Sequence, residues 1–341
     1  MLMESIGTKK TIIVPATIAV VLGVLIFSMG GKPVLKIYHA GSLTIPLEKI
    51  EMQFESSYDV DLQLEPHGSA EAISQITELH KAADILVSAD YSLIPKMMFP
   101  EYADWYIQFA RNEIVLVYTS DSNYADEINE NNWYDILNRT GVKFGFSNPN
   151  LDPCGYRTVM VLQLAEIYYN NSTIFDDLIV GNTNVGTIEE NGNYLIQVPE
   201  DLNPNTDKLE ISDKSVSLLI KLEAHSIDYA FEYRSVAAQH GFKFVELSDG
   251  INLTSTDYEN IYKQVKVRLA NGKVLTAEPI VYGITIPKNT PNEDLAIEFI
   301  TLLITEYGQE VFENCGQPPI VPAIASDVNK LPENLQPLVI Q

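Results

Sequence analysis

The sequence predicts a two-lobed α/β protein, each lobe a mainly parallel sheet flanked by helices, with a cleft between the lobes. Three observations predict it. The 341 residues are too many for one ordinary domain and suit two. From Val34 onward short apolar runs alternate with stretches of helical periodicity, the pattern of parallel strands joined by helices. Two similar apolar runs, Ile114 to Tyr118 and Ile280 to Ile286, flank a second such set, as two strands crossing between lobes would.

In chain order, strands are expected at Leu35 to His39, Asp59 to Glu65 and Asp84 to Ser88. Helices are expected at Pro46 to Phe54 and at Ser69 to Ala82, where Ile73, Ile76 and Leu79 share one face. After the crossing strand at Ile114 come a strand at Val142 to Ser147 and a helix at Pro153 to Tyr169. A polar, Asn- and Asp-rich stretch then runs to Asp213, followed by a helix at Val216 to His225 and a strand at Asp228 to Tyr233. A hairpin turning at Asn271-Gly272 precedes the second crossing strand, and a long helix from Asn292 to Phe312 follows it. The expected division is 1–32 as a leader, 33–113 and 282–341 as the first lobe, and 114–281 as a second lobe inserted into it.

Residues Thr11 to Gly31 carry no charge and follow Lys9 and Lys10. Such a run is long enough to span a bilayer and places the remainder outside the cell, whether it is cleaved near Ser28 to Gly31 or kept as an anchor. No cysteine follows it to carry a lipid. Cys154 and Cys315 are the two cysteines, read as free thiols, although an exported setting permits a disulfide. Four Asn-x-Ser/Thr triplets, at Asn138, Asn170, Asn171 and Asn252, are formal glycan acceptors of little weight.

The formal net charge of −24, with no basic cluster, excludes nucleic acid and anionic lipid surfaces as partners. The five histidines show no paired zinc spacing, and there is no nucleophile elbow, phosphate loop or dinucleotide fingerprint, so no enzyme or cofactor reading competes.

Three segments share one layout, a strand end followed by a small or capping residue and a helix start: His39-Ala-Gly-Ser-Leu43, Pro66-His-Gly-Ser-Ala70 and Asn150-Leu-Asp-Pro-Cys-Gly155. Ligands of open α/β sheets sit beyond the carboxyl ends of strands, where helix N-termini present free amides to anions. Short hydrogen bonds from fixed amides and from the Ser42 and Ser69 hydroxyls outweigh a screened net charge, so an acidic chain can still hold an oxyanion. Each residue also has a purely structural reading: Ser69 and Asp152 as helix caps, Ser42 as a turn residue.

Over most of residues 33 to 324 the sequence resembles the archaeal tungstate/molybdate-binding proteins of ABC importers, within the type II periplasmic binding proteins. The likeness rests on the three segments above and on Ala83-Asp-Ile-Leu-Val-Ser-Ala-Asp90, Phe109 to Tyr118, Ser147 to Arg157, Asp228 to Ser235 and Gly316-Gln-Pro-Pro-Ile320. It implies that Ser42 and Ser69 hydrogen-bond the oxyanion while carboxylates matching Asp152 and Glu232 bind the tungsten or molybdenum atom. Tyr233, Arg234 and Arg111 are further candidates for the cleft. A carboxylate beside a dianion is repelled unless it forms a bond. Hexavalent tungsten and molybdenum can accept two more oxygens, whereas sulfate and phosphate centres do not, so the acids would act as ligands and as a filter. The resemblance also implies a membrane permease as partner and a monomer as the working form. Cys154 and Cys315 depart from the expected pattern. A sulfate or phosphate receptor of the same fold is the alternative, with Asp152 then only a cap; a membrane-anchored enzyme or adhesion module is a more distant one.

Overall fold

The computed structural model describes residues 32–341; the apolar leader lies outside them. No helix among the described residues is long and apolar enough to cross a membrane.

Strands β1 (Val34–Ala40), β2 (Asp61–His67), β3 (Ile85–Ser88) and β4 (Ile107–Arg111) open the chain. They are followed by β5 (Ile114–Tyr118), β6 (Phe144–Ser147), β7 (Gly186–Glu190), β8 (Asn193–Gln197), β9 (Leu209–Ser212), β10 (Tyr229–Tyr233) and β11 (Lys243–Val245). Then come β12 (Val265–Arg268), β13 (Val274–Thr276), β14 (Val281–Thr285), β15 (Pro319–Ala325) and β16 (Val339–Ile340). They form three sheets, ordered β16-β15-β4-β14-β3-β1-β2, β11-β5-β10-β6-β9 and β13-β12-β8-β7.

The early strands are parallel as expected, β1 lying between β2 and β3, and β6 runs parallel to both β9 and β10. Elsewhere the sheets are mixed. β14 pairs antiparallel with β3 and β4, and β5 antiparallel with β10 and β11. β4 passes into β5 through Asn112 and Glu113 alone, which is where the chain crosses from the first sheet to the second.

The apolar core divides the same way. One large cluster draws on residues between Leu35 and Ala110 and between Tyr282 and Val339; another draws only on residues between Ile114 and Ile280. Ile196, Val265 and Val267 of the third sheet belong to the latter, so that sheet packs onto the second. Cys154 and Cys315 are buried in different clusters and are free thiols. Asn252 is buried, its Nδ2 donating to Glu113 Oε2 at 2.6 Å, so that triplet is closed to a glycan.

Several element bounds differ from expectation. The helix starting at Ser69 stops at Thr77, which leaves Leu79 exposed rather than on the buried face. The expected long helix is two, Glu293–Ile304 and Glu306–Asn314, broken at Thr305, where the backbone is extended and the hydroxyl donates to the Thr301 carbonyl at 2.7 Å. The polar stretch before Asp213 holds β7, β8 and β9, and β7–β8 form an unanticipated hairpin. The Asn271-Gly272 turn does join β12 to β13.

Candidate functional site

Strand ends decide where the site lies. The carboxyl ends of β1, β2, β3, β6 and β10 converge on one cavity of about 360 Å³. The first sheet contributes Gly41 and Ser42 after β1, Gly68 and Ser69 after β2, and Asp90 after β3. The second contributes Asp152, Pro153, Tyr156 and Arg157 after β6 and Tyr233 from the end of β10; Asn112, at the crossing between the sheets, completes the base with Tyr282.

Ser42 sits in a single 3-10 turn, Gly41–Leu43, that runs straight into the Thr44–Ser57 helix. Its carbonyl is pinned by the Gln317 side-chain amide at 2.8 Å, and the same amide donates to the Tyr282 hydroxyl at 3.1 Å, so the turn is tied to the segment before β15. Ser69 is not the cap that the sequence suggests. Gly68 occupies that position and Ser69 is the first helical residue, its Oγ accepting the Ala89 amide at 3.1 Å. A hydroxyl that accepts one amide still has its own proton to donate into the cavity.

Asp152 does cap the Pro153–Tyr169 helix, with Pro153 in the first turn. Oδ1 accepts the Cys154 amide at 3.1 Å and Oδ2 the Ser215 amide at 2.7 Å. Each oxygen retains an open lone pair, and the residue is half-buried on the cavity wall. This loop presses onto the end of β6 because Gly155 has no side chain: a Cβ there would lie 2.1 Å from the Ser147 carbonyl oxygen.

Glu232 is placed differently. It is fully buried behind the wall rather than on it. Oε2 accepts the Tyr233 amide at 2.6 Å and lies 3.5 Å from the Cys154 thiol, while Oε1 has no partner. Burial pushes its carboxyl up to about 7; the Asp152 charge adds to this, and the Ser215 hydroxyl, Tyr233 amide and Cys154 thiol oppose it. Cys154 thus stands between the two carboxylates, and its own thiol is held well above the ordinary range by burial first and then by Glu232 and Asp152.

Of the other candidates, only Tyr233 lines the cavity. Arg234 turns away from it to three carboxylates, Glu113 at 3.3 Å, Glu246 at 3.4 Å and Glu313 at 3.2 Å, and Arg111 does not reach it. A cation the sequence reading missed takes their place. Arg157 lines the cavity, donates from Nη1 to the Tyr233 hydroxyl and lies over the Tyr156 ring at 5.5 Å. The signal was available: Pro153, Tyr156 and Arg157 are spaced i, i+3 and i+4 on one helix face, so a helix starting at Asp152 with Pro153 toward the ligand turns all three the same way.

The cavity offers helix-start amides, two serine hydroxyls and a guanidinium, which suit the oxygens of an anion, together with two carboxylates, Asp90 and Asp152, which do not unless they form a bond.

Comparison with known proteins gives a consistent outcome. Residues 35–316 match the family described as bacterial extracellular solute-binding protein. A solute-binding protein of Methanococcus maripaludis is 48% identical over 312 residues, covering 90% of this chain and 92% of its own. The molybdate/tungstate-binding protein WtpA of Pyrococcus abyssi is 43% identical over 314 residues, covering 89% of each chain. Among solved structures, a Clostridium difficile substrate-binding domain assigned to a molybdenum ABC transporter superposes with a TM-score of 0.58 at 18% identity, covering 85% of this chain and 100% of its own. At that identity the likeness is one of fold.

Proposed function

The chain belongs to the family of bacterial extracellular solute-binding proteins, and on that footing we propose that its solute is tungstate or molybdate. It is a two-lobed α/β receptor of an ABC importer, works outside the cytoplasm and is not an enzyme. In this reading the lobes, 33–113 with 282–341 and 114–281, close on one oxyanion, whose oxygens take hydrogen bonds from Ser42, Ser69 and the neighbouring amides. Asp152 and Glu232 add their oxygens to the metal atom, and Tyr233 supports the wall. The occupied protein, a monomer anchored by or secreted through its N-terminal apolar segment, then delivers the anion to the permease.

One observation carries the reading. Asp152 lines a cavity whose amides, hydroxyls and Arg157 suit an anion, where Asp90 is held by the Ser92 amide, and a further carboxylate, Glu232, lies just behind Asp152. For sulfate or phosphate two acids at that place only repel; for a centre that can accept further oxygens they are ligands. Oε1 of Glu232, for which only the Ser215 hydroxyl is near, keeps room for a further bond of that kind. Glu232 reaches the anion only if the wall at Cys154 yields on binding. The 43% and 42% identical WtpA proteins of Pyrococcus abyssi and Thermococcus kodakarensis, named for molybdate and tungstate, favour these two anions.

Calorimetric titration with tungstate, molybdate, sulfate and phosphate tests this, using the wild type and the double substitution Asp152→Ala with Glu232→Ala. Binding of only the first two, lost or opened to sulfate in the double variant, is the expected result. Tight sulfate binding by the wild type, or an indifferent variant, would leave a generic oxyanion receptor in which Asp152 is a helix cap.

A further inference from the structure

Arg157 is in an unusual electrostatic position for this chain. Arg139 and Arg234 sit on carboxylates at 2.8 Å and at 3.2 to 3.4 Å. Arg157 has no such partner among the described residues: its hydrogen bond goes to the Tyr233 phenol, and its guanidinium carbon lies 5.5 and 5.7 Å from the centroids of the Tyr156 and Tyr233 rings. Asp90, on the same cavity wall, is the carboxylate that acts on it, and only weakly. Asp90 is itself engaged, its Oδ1 accepting the Ser92 amide at 2.9 Å.

A guanidinium has five N–H donors and does not lose its proton in a protein. Half-buried on the cavity wall and without a salt bridge, it favours negative charge beside it. One donor is spent on a neutral phenol, which with the nearby Tyr156 and Tyr233 rings restrains the side chain, and the remaining donors are free for an acceptor. The cavity wall contains Asp152 and Asp90 as well, so the charge that a ligand meets there is the balance of all three, and Arg157 is the one cation among its described lining residues that a carboxylate does not hold in an ion pair.

We infer that Arg157 sets the charge class of the solute: its guanidinium donates to an oxygen of the bound oxyanion and makes the cavity favour doubly over singly charged tetrahedral anions of the same size. The inference rests on the oxyanion reading above and adds to it a division of labour. The two carboxylates discriminate by the chemistry of the central atom; Arg157 discriminates by charge. Tyr233 is the positioning residue that aims it.

Tungstate and perrhenate separate these roles, because they are tetrahedral anions of nearly equal size that carry two charges and one. Affinities of both for the full chain in mild detergent are measured for the wild type, Arg157→Met, Arg157→Lys and Tyr233→Phe. The wild type is expected to favour tungstate. R157M should lower the tungstate-to-perrhenate affinity ratio roughly 10-fold or more, as loss of a charge-assisted contact does. R157K should keep most of the ratio, and Y233F should fall between R157M and the wild type. If R157M weakens both anions equally, Arg157 is only a wall residue and the inference falls while the oxyanion reading stands. If the wild type binds neither anion, both fall together. Should R157M not fold, the wild type carries the test alone: a ratio below one overturns the inference.

Discussion

Asp152 and Ser215 are joined by a 2.7 Å hydrogen bond from the Ser215 amide to Oδ2, while Oδ1 of the same carboxylate caps its own helix at the Cys154 amide. One side chain thus holds two helix starts, Pro153–Tyr169 and the segment leading into Val216–Glu223, at the edge of the cavity. Its structural role and the ligand-binding role proposed for it are separable. Asn at this position keeps one carbonyl oxygen and can serve one of the two amides. Asp152→Asn is therefore expected to cost about 1 kcal/mol of stability in urea unfolding, the usual size of a lost cap or hydrogen bond. Tungstate affinity should fall far more, by roughly 100-fold, because the charged oxygen is lost. Equal small effects on both would mean that Asp152 is a cap alone.

Ser69 accepts the Ala89 amide and so links the start of its helix to the end of β3. Ser69→Ala leaves that amide without its acceptor and removes the hydroxyl from the cavity. Urea unfolding should register about 1 kcal/mol of destabilisation, and tungstate titration a loss of roughly 10-fold. Unchanged affinity would remove Ser69 from the site.

Burial lifts Glu113 to about 7; Glu246 and Asp249 reinforce this, and Arg234 and Asn252 oppose it. The folded chain therefore keeps a proton that the unfolded chain releases near 4.5. Between about 4.5 and about 7 the native state binds more protons than the unfolded one, so this group's contribution to stability is present below that window and is lost as pH rises through it. Glu232 contributes with the same sign. Urea midpoints measured from pH 5 to pH 8 are expected to fall, with a shallower slope in Glu113→Gln. Identical slopes would show that Glu113 titrates normally.

Gly316 has φ of +71°, and a Cβ there would stand 2.6 Å from the Ala238 Cβ and 2.8 Å from the Arg234 carbonyl oxygen. This is where the segment after the Glu306–Asn314 helix meets the Arg234–Gln239 helix of the second sheet. Gly316→Ala should cost on the order of 1–3 kcal/mol through backbone strain and overpacking. It should also wedge the two sheets apart on that side, so small-angle scattering of the unliganded protein is expected to show a larger radius of gyration than the wild type. A destabilised variant of unchanged dimensions would confine the effect to the backbone.

The parts of the fold legible in the sequence are those in which burial is nearly complete. β3 and β5 are nearly continuous apolar runs because both faces of their sheets are covered, and β1 keeps Leu35, Ile37 and Tyr38 buried around Lys36. The β7–β8 hairpin was not read, since Thr187, Glu189 and Glu190 break the apolar pattern on an exposed face. Its turn, Asn191-Gly192 with φ of 54° and 75°, is the same dipeptide that joins β12 to β13 at Asn271-Gly272. The break at Thr305 is a tertiary effect: apolar spacing continues through it, and the second helix turns Val311 and Phe312 to the core. In the site, Ser42, Ser69, Asp152 and Tyr233 were legible as strand-end and helix-start residues. The link from Gln317 to the Ser42 carbonyl spans 275 positions and has no local signature, and the turning of Arg234 toward Glu113, Glu246 and Glu313 is decided by three separate segments.

The strand order of the first sheet sets the sequence in which the molecule can be assembled. β14 lies between β3 and β4, so a nascent chain that ends before Val281 can pair β2, β1 and β3 but leaves β4 with no neighbour. The strands of the second sheet all fall between Ile114 and Val245 and can find one another earlier. The half that begins the chain is then the last to be finished, and its long-range pairings place it among the slower-forming topologies. A chain threaded across a membrane from its N-terminus must keep β4 soluble and unpaired for the whole passage of the segment between, and faults in export or synthesis should surface as exposed β4 edges.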